Sequence, residues 1–318
     1  MKKYKGRGYS FNNITGEIVI DAKYVVPSSL FKYYALTDWS VDALTNMYVY
    51  AAHPALLNDP FDCDMDLAQI EDESMAKEVW GNLYDGVREM YDNDEHFYKF
   101  TTESFTTMMF MKWGILSLTD SCENPIMWTH YAQNNGFCVE FDVSKFSFKN
   151  KGPFPIHYVD EVVPASSKDF DLIELVLIQS NVKRDIWKYE NEWRLMIQPP
   201  EGFDMKAFGK NSYIIKEHFG PVLHDRKFIY PISALKSVTL GINFFKREYE
   251  RQQGISANPY EIHVCYTVTC NETKVLDFLN QIGKYTAVYM MFKIGLGYSR
   301  KPIVVNKLHE LVYRITEI

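Results

Sequence analysis

The chain lacks most of the short signatures that announce a chemistry. Its five cysteines (Cys63, Cys122, Cys138, Cys265, Cys270) are odd in number and scattered, with no CxxC pair and no Cys/His cluster at zinc-finger spacing. Zinc-ribbon and thioredoxin-type sites are thereby excluded, and separated, reduced thiols are the natural reading. No GxxxxGK[ST] or GxGxxG loop occurs, which removes P-loop, kinase and Rossmann readings. No GxSxG elbow is present, so a hydrolase triad has no anchor. Basic residues are outnumbered, 34 Lys and Arg against 41 Asp and Glu, and the net charge of −7 argues against a broadly basic nucleic-acid surface. There is no run of about 18 apolar residues, so no membrane span is expected. The N-terminus Met1-Lys2-Lys3-Tyr4-Lys5-Gly6 leads into no apolar core, and a cytoplasmic chain is the expectation.

What the chain does have is apolar and aromatic material. Hydrophobic residues make up 47%, enough for a sizeable core, and 22 Tyr, 21 Phe and 6 Trp suit strands and aromatic-lined clefts. Residues 1–27 read as a polar lead-in with one short strand at Glu17–Ile20. Residues 28–270 read as a single core domain with a helical insertion at 71–112, broken near Asp92–Glu95, and residues 271–318 as an extension packed on it. Strands are expected at Leu30–Tyr34, Met47–Ala52, Gly114–Thr119, Gly136–Asp142, Ile156–Val159, Phe228–Ile232, Val238–Leu240 and Ile262–Thr269. Helices are expected from Ser40 as N-cap, from Pro125, over Asp169 to about Trp187, at Lys246–Gln253 and at Glu272–Ile282. A Gly-rich loop follows Pro199-Pro200. Helices and strands alternate irregularly, which predicts an α+β fold with a mixed or antiparallel central sheet and flanking helices.

The most informative segment is Trp187-Lys188-Tyr189-Glu190-Asn191-Glu192-Trp193-Arg194, followed by the apolar Leu195-Met196-Ile197. A strand over Glu190–Ile197 places Glu190, Glu192 and Arg194 on one side and Trp193, Leu195 and Ile197 on the other. Two carboxylates and a guanidinium on a half-buried face demand compensation, which makes this strand the first site candidate. A solvated sheet edge, with Lys188 and Arg194 as surface partners, is the plain alternative. Asn58-Asp59-Pro60-Phe61-Asp62 is a turn in which Phe61 plugs the core, and Asp64 and Asp66 extend its acidic character. Ser117 and Thr119 share a strand face. Met127-Trp128-Thr129-His130-Tyr131-Ala132 offers a histidine able to titrate near neutral pH beside two rings able to stack on a planar ligand.

These boxes occur in an order that resembles a widespread bacterial domain-of-unknown-function family marked by NDPFD, MWxHYA and WxxExEWR, over roughly residues 30–270. A looser similarity is to ADP-ribosyltransferases, whose three strand motifs carry an Arg or His, a Ser-x-Ser/Thr and a Glu-x-Glu. Lys32-Tyr33, Ser117-x-Thr119 and Glu190-x-Glu192 follow that order, with Lys32 departing from the family's Arg or His. The resemblance implies NAD as co-substrate, a nucleotide or dinucleotide ligand, a protein or nucleic-acid acceptor, no metal, and a setting in a toxin or phage-defence system. It also implies an ADP-ribosyltransferase-like split sheet. The catalytic candidates are Glu192 and Glu190, from that resemblance, and His130, from its own chemistry. Lys32, Tyr33, Asn58, Asp62, Ser117, Thr119, Trp128, Tyr131 and Arg194 are the candidates for holding the dinucleotide. The alternatives are a metal-dependent nuclease using Asp59, Asp62, Glu190 and Glu192, which lacks the lysine expected after the second acid, and a non-catalytic nucleotide-sensing module.

Overall fold

A computed structural model of the chain describes residues 9–12, 17–21, 24–148, 150–197, 226–245, 264–267, 270–309 and 312–317. The expected helix at Lys246–Gln253 and the loop after Pro200 lie outside the described residues. The fold is α+β, as the irregular alternation of elements predicts. The chain forms two compact units: residues 1–26, 50–117 and 148–227 make the first, and residues 27–49, 118–147 and 228–318 the second.

The second unit carries a large mixed sheet. Its strands lie in the order Val264–Thr267, Val312–Glu317, Gly297–His309, Ala287–Ile294, Leu235–Leu240, Phe137–Phe141, Leu30–Tyr34. All neighbours are antiparallel except Leu235–Leu240 with Ala287–Ile294, whose parallel pairing needs a crossover. The helix Cys270–Ile282 lies between these two strands in the chain and supplies it. The expected strand at Gly114–Thr119 is present, and its last residue pairs with Phe31. Helix Pro125–Ala132 starts at its proline as expected, capped by Asn124, whose side chain accepts the N–H of Ile126 at 2.9 Å. The helix expected from Ser40 is capped instead by Thr37: the Ser40 N–H donates to Thr37 Oγ1 at 3.3 Å and the Thr37 N–H to Ser40 Oγ at 3.0 Å. Ser40 is the third residue of that reciprocal box, not its start.

In the first unit the 71–112 stretch forms three helices, Glu73–Trp80, Tyr84–Arg88 and Asp94–Lys112. Asp72 and Asn93 cap the first and last, and Gly81, at φ +51°, ends the first in a conformation that favours glycine. These helices bury Phe97 and Phe105 in one core with Ile70, Phe154, Leu175, Ile178 and Met196.

The helix expected from Asp169 to Trp187 is shorter, Leu172–Asn181. Asp171 and Glu174 form its capping box. Its last turn is sealed from inside: Ser180 Oγ donates to Val176 O at 2.7 Å and Asn181 Nδ2 to Leu177 O at 2.9 Å. Beyond it the chain extends as strand Val182–Arg184, which pairs in parallel with His157–Val159, and then coils into the 3-10 turn Asp185–Glu190. Asn191 follows in the left-handed region (φ +43°, ψ +50°), and only at Glu192 does the strand Glu192–Ile197 begin. The strand expected from Glu190 thus starts two residues later. A left-handed residue cannot lie within a regular strand, so Glu190 leaves the strand face it was assigned. The alternation of exposed and buried faces also fails, because all six residues of this strand are buried.

Candidate functional site

The turn at Asn58–Asp62 is built by its own side chains. The Phe61 N–H donates to Asp59 Oδ1 at 3.0 Å and the Asp62 N–H to Asp59 O at 3.1 Å. Cys63 follows at φ +60°. The turn aims its residues opposite to the expectation: Phe61 is 56% exposed, and Asp62 is buried at 5%. Gln179 on the Leu172–Asn181 helix tethers the next stretch, donating from Nε2 to Asp64 O at 2.7 Å.

Asp62 is buried because a guanidinium meets it. Arg194, on strand Glu192–Ile197, donates from Nη1 to Asp62 Oδ1 at 2.8 Å and from Nη2 to Asp62 Oδ2, a bidentate pair. Its Nε donates to Glu192 Oε1 at 2.6 Å and Nη2 also to Glu192 Oε2 at 3.1 Å. Nη1 reaches Ser180 O at 2.6 Å. A guanidinium has five N–H donors in a fixed fork, and each has an acceptor here. The plain alternative, a solvated edge with Arg194 on the surface, is therefore overturned: the Arg194 side chain is 1% exposed.

A second cation completes the group. The Lys183 ammonium lies 2.6 Å from Glu190 Oε2, 3.2 Å from Glu192 Oε2 and 3.6 Å from Asp62 Oδ2, beneath the Trp187 ring with 4.8 Å to its centroid. Three carboxylates and two cations leave this buried group with one net negative charge. Burial pushes the Glu192 carboxyl up, but the charges of Arg194 and Lys183, and hydrogen bonds from Arg194 and the Ser117 hydroxyl, bring it down to about 2. Burial likewise opposes charge on Lys183 and on Arg194, yet their carboxylates hold both above their ordinary values. The neighbouring Cys63 thiol, buried and beside Asp62, is pushed well up and stays protonated. Tyr158, which pairs in register with Lys183, accepts the Glu192 N–H on its hydroxyl at 2.9 Å.

The structure therefore brings together five of the expected residues, Asp62, Ser117, Glu190, Glu192 and Arg194, all in the first unit. Asn58, in the same unit, is exposed. Lys183, Tyr158 and Ser180 are participants that the sequence reading missed. The available signal was charge imbalance: three acids against one guanidinium call for another cation, and Val182-Lys183-Arg184 stands a few residues upstream.

Lys32, Tyr33, Thr119, Trp128, His130 and Tyr131 belong to the second unit. Trp128 has no exposed surface; its Nε1 donates to Cys122 O at 2.7 Å, and Tyr33 meets its ring edge-on at 5.2 Å. The Tyr33 hydroxyl donates to Ser121 O at 3.0 Å, and the Thr119 hydroxyl accepts the Ser121 N–H at 3.4 Å. Trp128 and Tyr33 are thus built into the core of their unit. Lys32 is half-buried with its ammonium 5.7 Å from the Tyr34 ring centroid. His130 is exposed in the last turn of helix Pro125–Ala132, and Tyr131 is half-buried beside it.

Asp64 and Asp66 line an open cavity of about 350 Å³ with Phe61, Asp160, Glu161 and Arg184. The Asp64 carboxylate accepts the Asp66 N–H at 3.0 Å, a local turn bond. Among the described residues, no group of three or more His, Cys, Asp or Glu side chains is placed to hold a metal ion. No helix among them is long and apolar enough to cross a membrane.

His53, also in the first unit, is buried and near Arg226. Burial first, and the Arg226 charge second, hold its imidazole down at about 4. The unfolded chain then binds a proton that the folded chain refuses between the ordinary histidine value and about 4. Stability should therefore fall as pH drops through this window, by about 3 kcal/mol in all. Urea unfolding from pH 7 to pH 4 would measure the slope, and His53→Gln should flatten it. An unchanged slope in that variant would remove the assignment.

A family model described as a protein of unknown function (DUF2971) matches residues 127–195. That stretch takes in the Met127–Ala132 and Trp187–Arg194 boxes and stops short of Asn58–Asp62. This part of the chain is thus similar to a domain-of-unknown-function family, as its motif order suggests. Searches of the curated proteins and of the solved structures found no match.

Proposed function

We propose that the protein is an NAD-dependent ADP-ribosyltransferase acting through Glu192. The observation that carries this reading is that the Ser-x-Thr strand Gly114–Thr119 lies next to strand Glu192–Ile197 in the sheet, which brings Ser117 to the Glu192 carboxylate. Its second support is charge, since Glu192 is held ionised at neutral pH. In the reaction the bond between nicotinamide and the ribose C1′ breaks, nicotinamide leaves with the bonding electrons, and C1′ bonds to the acceptor, whose proton is released to solvent. Positive charge develops on the ribose as the bond breaks. An ionised carboxylate accepting a hydrogen bond from a ribose hydroxyl stabilises that charge more in the transition state than in the bound substrate. Glu190 orients the acceptor, and a toxin or phage-defence system is a setting that suits such modification.

Glu192→Gln tests this directly. The amide keeps the volume but turns one acceptor oxygen into an N–H2 facing Arg194 or Lys183, so urea unfolding of the variant is read beside the assay to separate lost fold from lost chemistry. Transfer of labelled ADP-ribose from NAD to proteins of a cell extract should fall by roughly 10²–10³-fold. Equal transfer by both proteins, or transfer by neither, removes the reading.

Burial favours a second reading, a non-catalytic nucleotide-sensing module. The Glu190 and Glu192 side chains are 3% and 5% exposed, and the Arg194 donors are all spent inside the group. On that reading calorimetry shows NAD binding while no nicotinamide is released.

A further inference from the structure

We propose that Lys183 is a positioning residue: its ammonium, seated among Asp62, Glu190 and Glu192 under the face of Trp187, fixes both carboxylates of the Glu-x-Glu segment in their working orientation. The catalytic use of that orientation rests on the transferase reading; the hold on the carboxylates stands on geometry alone.

The backbone explains why such a residue is needed. In a regular strand Glu190 and Glu192 would share a face and need no outside help to stay parallel. Here Asn191 turns the chain left-handed between them, so one sits at the end of a 3-10 turn and the other at the head of a strand. Lys183 draws the two back to one point, at 2.6 Å from Glu190 and 3.2 Å from Glu192. It thereby ties the turn to the strand across the break.

Its own place is set by pairing. Strand Val182–Arg184 runs beside His157–Val159 with Lys183 opposite Tyr158. The Tyr158 hydroxyl accepts the Glu192 N–H, while Lys183 takes the Glu192 carboxylate. Paired residues thus grip the backbone and the side chain of the same glutamate. The chemistry of a lysine fits the position. An ammonium presents three donors around a compact point charge, and three carboxylates face it; Trp187 covers the remaining side with the electron-rich face of its ring. Arg194 also meets this group and bridges Asp62 and Glu192.

The test reads carboxyl ionisation and NAD turnover in parallel on the full chain. Carboxyl carbons of labelled glutamates are titrated by NMR in the wild type, Lys183→Met and Lys183→Arg, with the Glu192 signal assigned by its loss in Glu192→Gln. In Lys183→Met the Glu192 titration should move up by roughly two pH units or more, because burial then meets one cation instead of two. The kcat profile should gain a matching acidic limb while KM for NAD changes less than about twofold. Lys183→Arg should restore most of both. If Lys183→Met does not fold, Lys183→Met/Glu190→Gln keeps the group at one net negative charge and reports Glu192 in a folded chain.

A Glu192 titration that stays at its wild-type position in the Met variant overturns the proposal, whatever happens to turnover. So does a kcat profile that keeps its shape while Lys183→Met loses only stability. A wild type that releases no nicotinamide, with the titration shift still present, defeats the transferase reading and leaves the hold of Lys183 on the carboxylates in place.

Discussion

Replacing Arg194 with methionine is expected to destabilise the protein by about 3–5 kcal/mol. Arg194 bonds Asp62, Glu192 and Ser180 O, and its removal leaves three buried carboxylates facing Lys183 alone. The net charge of the group doubles from one negative to two, in surroundings that already push carboxylates towards the neutral form. Methionine fills much of the volume, so the loss is electrostatic and not a cavity effect. Arg194→Lys should lose most of the same stability despite keeping the charge, because three donors on a point charge cannot span five acceptor directions. Urea unfolding at pH 7 reads both variants. An unfolding free energy within about 0.5 kcal/mol of wild type for either one would show that the fold does not depend on the Arg194 contacts.

Trp128→Ala is expected to cost about 3–5 kcal/mol, in the second unit. The indole has no exposed surface, so truncation opens a large cavity. It also strands the Cys122 carbonyl, which accepts the indole N–H at 2.7 Å, and removes the ring that Tyr33 meets edge-on. Trp128→Phe should recover the packing and not the hydrogen bond, losing about 1–2 kcal/mol. The ligand-stacking role implied by the resemblance gives a different pattern: binding of NAD would weaken while the urea midpoint stayed put. The two measurements on the same variants separate the roles.

The α+β class was legible because local signals carry it. Asn124-Pro125 starts a helix here through a side-chain cap and a preset φ, and Phe137–Phe141 is apolar apart from Glu140 and short enough to be a buried strand. Boundaries were less legible where tertiary pairing sets them. The Leu172–Asn181 helix gives way at Val182, where the chain extends to pair with His157–Val159, while the apolar spacing on its own runs on through Val182. Phe61 and Asp62 exchanged their expected places for a related reason. Hydropathy sends phenylalanine inward and aspartate outward, and only a guanidinium from 132 residues along the chain reverses that preference for Asp62.

The sequence by itself determined that two carboxylates and a guanidinium within five residues, Glu190, Glu192 and Arg194, need compensating charge. The desolvation cost of such groups is a property of the groups, although the shared strand face that spacing assigned to Glu190 is broken at Asn191. Only the tertiary structure decided what compensates them. Asp62 arrives from a turn, Lys183 from a strand that spacing read as helix, and Ser117 from a strand far upstream. Charge neutralisation over long sequence separation depends on which segments pack against one another, and a linear pattern carries the demand for a partner without carrying its address.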